Sequence, residues 1–200
     1  KVTKFFIIIF IYTFMKRLLD FSLALFLIII FIGPILLLFV FNFILPNLKI
    51  IHWSRRVGKN NIEFLMPKIR TMEIGTPNVA TDLLDDPDRY ITKIGSILRK
   101  YSIDEIPQIW SILRGEMSFV GPRPALYNQY SLIKLRNLNG IDNLKPGLTG
   151  WAQINGRDNL SLSEKVTFDI EYLTNKSFLF DIKIIFLTLI RALRKKNISH

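Results

Sequence analysis

The chain has 200 residues, half of them hydrophobic, no cysteine and a formal net charge of +11. The lack of cysteine excludes disulfides and thiolate metal sites, and the positive mean hydropathy is too high for an ordinary soluble domain. The charge suits an anionic membrane surface, a phosphorylated substrate or nucleic acid, but the basic residues are dispersed and no nucleic-acid recognition motif occurs, so no nucleic acid is expected as a partner.

Residues 5–14 are apolar but only about half the length a bilayer span needs, and no small-residue cleavage site follows them. Residues 21–45 carry no charge over a length sufficient to cross the hydrocarbon core. Gly33 and Pro34 interrupt this stretch near its middle, where proline removes a backbone donor and glycine loosens the helix. Lys16 and Arg17 precede the segment; Lys49, His52, Arg55 and Arg56 follow it. Basic flanks at both ends favour the same, cytoplasmic, face for both. A helix–break–helix hairpin that enters and leaves one leaflet meets that preference; a kinked span is the alternative.

From residue 50 the pattern is amphipathic. Residues 51–58, a turn at 59–61 and residues 62–66 predict a strand or hairpin, and an extended 67–72 puts Lys68 and Arg70 on one side. Residues 73–87 are polar with two prolines and predict a loop or short helical turn. Residues 91–100 predict an amphipathic helix whose end delivers Arg99.

The densest stretch follows. Asp104 and Glu105 stand side by side between Arg99 and Arg123. Ile106, Ile109, Trp110 and Leu113 repeat at helical spacing; Ser102 with Glu105 has the form of a capping box, and Asp104 is the alternative cap, with Pro107 harmless in the first turn. Both acids then lie at a helix N-terminus, where the dipole favours their ionised form and also a bound phosphate. Gly121-Pro122-Arg123-Pro124 is a stiff loop that fixes one guanidinium. Carboxylates flanked by fixed arginines suit phosphoryl chemistry.

Residues 125–143 predict a helix with Tyr127, Tyr130, Leu132, Ile133 and Leu135 available for packing. Residues 145–158 hold glycines at 147, 150 and 156, which suit a ligand-lining loop; Trp151, Gln153, Asn155 and Arg157 are its candidate recognition residues, with Trp151 equally fit for the core. Residues 161–175 predict a helix. Residues 178–193 are strongly apolar but contain Asp181, Lys183 and Arg191. Charges near a bilayer centre cost about 2.5–3.5 kcal/mol each, so an interfacial helix with its basic end on anionic lipid is preferred, with a buried core helix as the competitor. Neither histidine is near the acidic motif, and there is no Ser-His-Asp arrangement or Walker loop. The available nucleophile is a carboxylate.

The run from Ser102 to Pro124 resembles the hallmark of the bacterial sugar transferases, the monotopic phosphoglycosyl transferases: S-L-D-E-L-P-Q-L-x-N-x-L-x-G-D-M-S-x-V-G-P-R-P. Isoleucine replaces leucine at 103, 106 and 109, Ser111 replaces Asn, and Glu116 replaces Asp. Lys68 to Met72 is similar to the family's K-F-R-T-M, and Lys145 to Arg157 to its K/R-P-G-I-T-G-W-A-Q-V-N-G-R. Asp82 stands where near relatives have histidine. The resemblance covers nearly all of residues 15–195, with Met15 resembling the family's usual start and residues 1–14 a possible upstream extension. It implies a helix-rich α/β (α+β) catalytic domain over 49–200, cytoplasmic at the bacterial inner membrane. An N-terminal re-entrant hairpin over 15–48, broken at Gly33-Pro34 where the family has Ser-Pro, would carry it, with interfacial amphipathic helices.

The activity so implied is transfer of a sugar-1-phosphate from a UDP-sugar to polyprenyl phosphate through a covalent aspartyl-phosphosugar, which initiates a surface glycan. Asp104 is then the nucleophile and Glu105 the Mg2+ ligand. Lys68, Arg70, Arg99 and Arg123 bind phosphate, and Gln153, Asn155 and Arg157 line the substrate. Membrane lipids complete the expected partners. The rival readings are an inactive membrane-anchored scaffold of the same fold and a small polytopic protein whose spans are 5–14, 21–45 and 178–193.

Overall fold

The computed structural model describes residues 2–44, 49–77, 79, 86–156 and 159–194. Helix α1 (Val2–Ile44) is a single helix that contains Pro34 and departs from helical geometry at Phe31 (φ −98°, ψ 15°). The proline ring conflicts with the carbonyl four residues back, so the distortion falls about one turn before the Gly33-Pro34 pair. The observed break is a kink within one helix. Residues 5–14 and 21–44 therefore share an element, which removes two separate spans of the polytopic reading; residue 45 lies outside the described residues. Phe10–Leu37 is long and apolar enough to cross a membrane. Asp20 and Ala24 are buried on its inner face, whereas Phe26, Ile29, Ile30, Leu36 and Leu37 are exposed.

Strands β1 (Ile51–Val57) and β2 (Glu63–Ile69) pair antiparallel as the predicted hairpin, with His52 opposite Lys68 and Arg56 opposite Phe64. Asn60 and Asn61 turn the chain with positive φ, a conformation asparagine tolerates. Alternation buries Ser54, Phe64 and Met66 and exposes Trp53, Arg55 and Leu65. β2 is an edge strand, which is why it tolerates Pro67.

Helices α2 (Pro87–Tyr90) and α3 (Lys93–Lys100) lead to a 3-10 helix, Ile103–Gln108, that continues as α4 (Ile109–Arg114). Strand β3 (Ser118–Val120) follows, then β4 (Ala125–Leu126), which pairs with β1 at Arg56 and Val57. The helix expected over 125–143 is thus corrected: it begins as a strand and becomes helical as α5 (Tyr130–Leu138) and a 3-10 turn at Ile141–Asn143. Leu132 and Ile141 are buried with Ile133 and Leu135 against them, but Tyr130 is exposed and Tyr127 lies beneath the Arg55 guanidinium.

Strand β5 (Gly147–Thr149) pairs parallel with β3, and α6 (Trp151–Asn155), α7 (Leu162–Asn175) and α8 (Phe178–Arg194) complete the domain. A capping box between Ser161 and Glu164 starts α7. The fold is the expected helix-rich α/β mixture, with sheet orders β2-β1-β4 and β3-β5. The main core gathers Phe64, Met66, Ile109, Ile112, Met117, Phe119, Ile154, Tyr172 and Ile184 around Ala24 of α1. Helix α8 buries Asp181 and Ile184 in this domain while Leu179, Ile182, Phe186 and Leu189 form an exposed apolar stripe at helical spacing. It is a domain helix with one bare face, not a free span.

Candidate active site

The inner face of the hairpin carries His52, Arg56 and Lys68 toward the segment 103–108. Lys68 Nζ donates to Glu105 Oε1 at 3.3 Å, and Arg123 Nη2 donates to the same oxygen at 3.3 Å. Burial pushes the Lys68 ammonium down to about 8, with the Arg123 and Arg56 charges adding to the effect and Glu105 opposing it. Burial and the Arg123 charge likewise push the Arg56 guanidinium down. A guanidinium keeps its proton at neutral pH, so the site's charge is strongly positive and centred on one carboxylate.

The turn that presents the acids differs from the expected capping box. Ser102 sits in the left-handed region (φ 53°, ψ 24°) and makes no side-chain cap bond, because that conformation swings its hydroxyl away from the following amides. Asp104 and Glu105 nonetheless occupy the first turn, here of a 3-10 helix. Asp104 is only 8% exposed. Burial and the neighbouring Glu105 push its carboxyl up, while Lys68, Arg99 and Arg123 hold it back. For Asp104, desolvation opposes the pull of the helix N-terminus toward the ionised form. Of the expected packing positions, Ile109 is buried and Ile106 and Leu113 pack partly buried against the core, whereas Trp110 is exposed; Ile112, outside the expected repeat, is fully buried.

Arg99, near the end of α3, donates Nε to Thr71 Oγ1 at 2.9 Å, and its charge reaches Asp104. A cleft of about 290 Å3 beside it is lined by Asp88, Ile91, Thr92, Lys93 and Ser96. Arg70 donates Nε to the Lys49 carbonyl at 2.8 Å; its charge is felt by His52. The structure therefore brings Lys68, Arg99 and Arg123 to the acids and sets Arg70 beyond them on the same strand face.

The two glycine-rich motifs interlock. A Cβ at Gly147 would collide with the Gly121 backbone, and a Cβ at Gly150 with the Gly121 carbonyl and the Gln153 side chain. Only glycines permit this approach, and it fixes the loop that carries Arg123. That loop is also held by Arg136, which donates to the Arg123 carbonyl at 2.8 Å and grips buried Asp169 through two bonds. Gln153 thus sits against the Gly121 loop, and its amide nitrogen and oxygen are buried without a hydrogen-bond partner. Asn155 turns back onto the Trp151 carbonyl at 2.8 Å, and Trp151 donates Nε1 to Glu171 at 2.7 Å. Arg157 and Asp82 lie outside the described residues.

Sequence reasoning missed Arg56, which it treated only as a flanking charge. Its Nη1 donates to the Pro124 carbonyl at 3.1 Å, and it faces Glu105 and Arg123. Strand alternation, which places 52, 54 and 56 on one face, was the available signal. It also missed the buried network in which Asp181 accepts from Lys16 at 2.7 Å, Tyr12 at 3.1 Å and Tyr172 at 2.7 Å.

Among the described residues no group of three or more His, Cys, Asp or Glu side chains is placed to hold a metal. Two adjacent carboxylates do fit a hard cation such as Mg2+, which commonly takes one or two protein carboxylates and completes its shell with substrate phosphates and water.

The family model for bacterial sugar transferases matches residues 11–195. An uncharacterized sugar transferase, EpsL, from Bacillus subtilis is 40% identical over 144 residues, covering 72% of this chain and 70% of the relative. The galactosyl transferase CpsE of Streptococcus agalactiae is 37% identical over 196 residues, 87% of this chain and 41% of the relative. The UDP-glucose:undecaprenyl-phosphate glucose-1-phosphate transferase of Escherichia coli is 37% identical over 154 residues, 74% of this chain and 33% of the relative. The chain thus spans less than half the length of several curated relatives it matches.

Proposed function

The chain belongs to the bacterial sugar transferase family and is a transferase, and on that premise we propose that it moves a sugar-1-phosphate from a UDP-sugar to polyprenyl phosphate. The observation that carries this reading is the convergence of Lys68, Arg99 and Arg123 on the buried pair Asp104 and Glu105. Such an arrangement binds a diphosphate and leaves one carboxylate for nucleophilic attack.

An Asp104 oxygen attacks the β-phosphorus of the UDP-sugar. The new oxygen–phosphorus bond forms as the bond to the bridging oxygen breaks, and UMP leaves with that oxygen. An oxygen of polyprenyl phosphate then attacks the same phosphorus, the aspartyl oxygen departs, and the carboxylate is restored. Arg99 and Arg123 hold the phosphates and screen charge on the transferring group. Lys68 keeps Glu105 in place and lends its own positive charge to the site. Glu105, with Asp104 adjacent, would hold Mg2+, which would supply neutralisation of the diphosphate charge. Gln153, with its unpartnered amide, and Arg70 extend the binding surface, and the cleft beside Arg99 offers space for the nucleotide end.

The long apolar α1 and the bare stripe of α8 support a membrane-associated enzyme whose site lies at headgroup depth, within reach of a lipid phosphate. The kink at Phe31 and basic flanks at both ends support re-entry of α1 into one leaflet, which puts the domain on the cytoplasmic face of the inner membrane. The product initiates a surface glycan.

The test is UMP release from UDP-glucose, UDP-galactose and UDP-N-acetylglucosamine with Mg2+ and a short polyprenyl phosphate, wild type against Asp104→Asn. Release that depends on the sugar and disappears in Asp104→Asn, with a phosphosugar trapped on Asp104 by mass spectrometry, is the expected outcome. An active Asp104→Asn protein would refute the covalent carboxylate mechanism.

A further inference from the structure

Helix α1 does more than anchor the domain. One face of its first half projects Tyr12, Lys16, Arg17 and Asp20 into the fold, and two of these side chains stand outside the ion pair with Asp181. Arg17 donates Nη1 to the Ile112 carbonyl and Nη2 to the Leu113 carbonyl, both at 2.6 Å. These carbonyls close α4, whose end is marked by left-handed Gly115. A guanidinium there satisfies terminal acceptors and faces the negative end of the helix dipole. The same continuous helical segment begins with Asp104 and Glu105, so Arg17 grips the far end of the element that presents the acids.

Asp20 grips the other half of the site. It is only 3% exposed, and its Oδ1 accepts from the Ser118 hydroxyl and the Phe119 amide, both at 2.9 Å. Lys16 donates to the Val120 carbonyl in the same strand at 2.9 Å. Strand β3 runs straight into Gly121-Pro122-Arg123. Residues 16, 17 and 20, on one stretch of helix little longer than a turn, therefore hold, by charged hydrogen bonds, the element bearing the acids and the strand feeding the phosphate-binding arginine. Nothing local in sequence ties those two elements to α1; the contacts span 95 to 104 residues.

We propose that Arg17 and Asp20 are positioning residues that register the Asp104–Glu105 segment against the Arg123 loop, so that seating of the membrane helix sets active-site geometry. This rests on the reaction proposed above. Arg17 and Asp20 touch no reacting atom; they fix the separation between nucleophile and phosphate clamp, and a small error in that separation is costly to a pre-organised transfer. Their loss affects turnover more than ground-state binding of the soluble substrate.

The experiment uses the full-length protein in lipid nanodiscs and compares wild type, Arg17→Ala, Arg17→Lys, Asp20→Ala, Asp20→Asn and Leu23→Ala. Leu23 packs on the core from the same helix but makes no polar tie, so Leu23→Ala measures destabilisation alone. Expected are at least tenfold losses of kcat in Arg17→Ala and Asp20→Ala, with KM for the UDP-sugar within about twofold. Asp20→Asn retains an acceptor for the Phe119 amide and recovers to within about threefold, whereas Arg17→Lys, which lacks the fork, recovers less. Leu23→Ala lowers Tm and leaves kcat near wild type. Wild-type kcat in both alanine variants, or an equal kcat loss in Leu23→Ala, overturns the proposal. Hydrogen exchange separates this from failure of the reaction itself. If wild type releases no UMP, faster exchange in both 103–114 and 118–123 of Arg17→Ala and Asp20→Ala still supports the registering role, and exchange changes confined to α1 overturn it.

Discussion

Lys68 gives the sharpest test of the site's electrostatics. Its ammonium is pushed down to about 8 by burial and by the Arg123 and Arg56 charges, against an ordinary value near 10.5. In the free enzyme it therefore loses its proton within the accessible range, and with it the charge that draws the UDP-sugar phosphates. kcat/KM reports the free enzyme, so it is expected to be level below pH 8 and to fall about tenfold per unit above it. A bound diphosphate stabilises the ammonium, so the same limb in kcat moves to higher pH. Lys68→Arg keeps its charge throughout and is expected to lose the limb; Lys68→Met is expected to be slow at every pH. The assay is UMP release at subsaturating and saturating UDP-sugar from pH 6.5 to 9.5. Stability has its own sign. The folded state releases this proton before the unfolded chain does, so stability rises as pH climbs from about 8 toward 10.5. Wild type is therefore expected to gain Tm relative to Lys68→Met across that window, by roughly 3 kcal/mol of stability at most. A flat kcat/KM profile to pH 9.5 in wild type, or an unchanged limb in Lys68→Arg, would refute the assignment.

Asp169→Ala leaves the Arg136 guanidinium buried without its carboxylate and is expected to cost about 3–5 kcal/mol, read by thermal unfolding in detergent; a loss below 1 kcal/mol would show the pair to be dispensable. Gly115→Ala meets left-handed strain and only ordinary van der Waals contacts with the Lys145 and Arg17 side chains and is expected to cost about 1 kcal/mol. Gly147→Ala also forces the Gly121 backbone away and is expected to cost more and to depress UMP release; equal effects of the two would contradict the interlock. The chain has no cysteine, so a fluorophore on Leu189→Cys reports the α8 stripe cleanly. It is expected to shift to the blue in anionic vesicles, while one on exposed Lys134→Cys is not; identical spectra would remove α8 from the membrane surface.

Much of the site was legible in the sequence because its pieces are local. Asp104 beside Glu105, the rigid Gly121–Pro124 loop and the glycines at 147 and 150 each declare a constraint within a few residues. Strand alternation around Asn60-Asn61 announced the hairpin that carries Lys68. Local patterns failed where a long-range contact overrode them. Ser102 and Glu105 spell a capping box, yet Ser102 takes a left-handed turn. The segment 125–143 has helical composition, but its first residues complete the hairpin's sheet at Arg56 and Val57.

What only the tertiary structure decided is how the parts meet. The sequence shows Asp181 as a charge in an apolar run; the fold makes it the buried acceptor of Lys16, Tyr12 and Tyr172, from α1 and α7. It shows Lys16 and Arg17 as a basic flank; the fold turns Arg17 onto the end of α4 and Lys16 onto β3. A carboxylate's fate depends on which charges and how much water surround it, and burial is a property of the whole packed chain. The sequence by itself determined the chemistry the residues can perform. The packing of α1, β3 and α4 against one another determined where those residues stand.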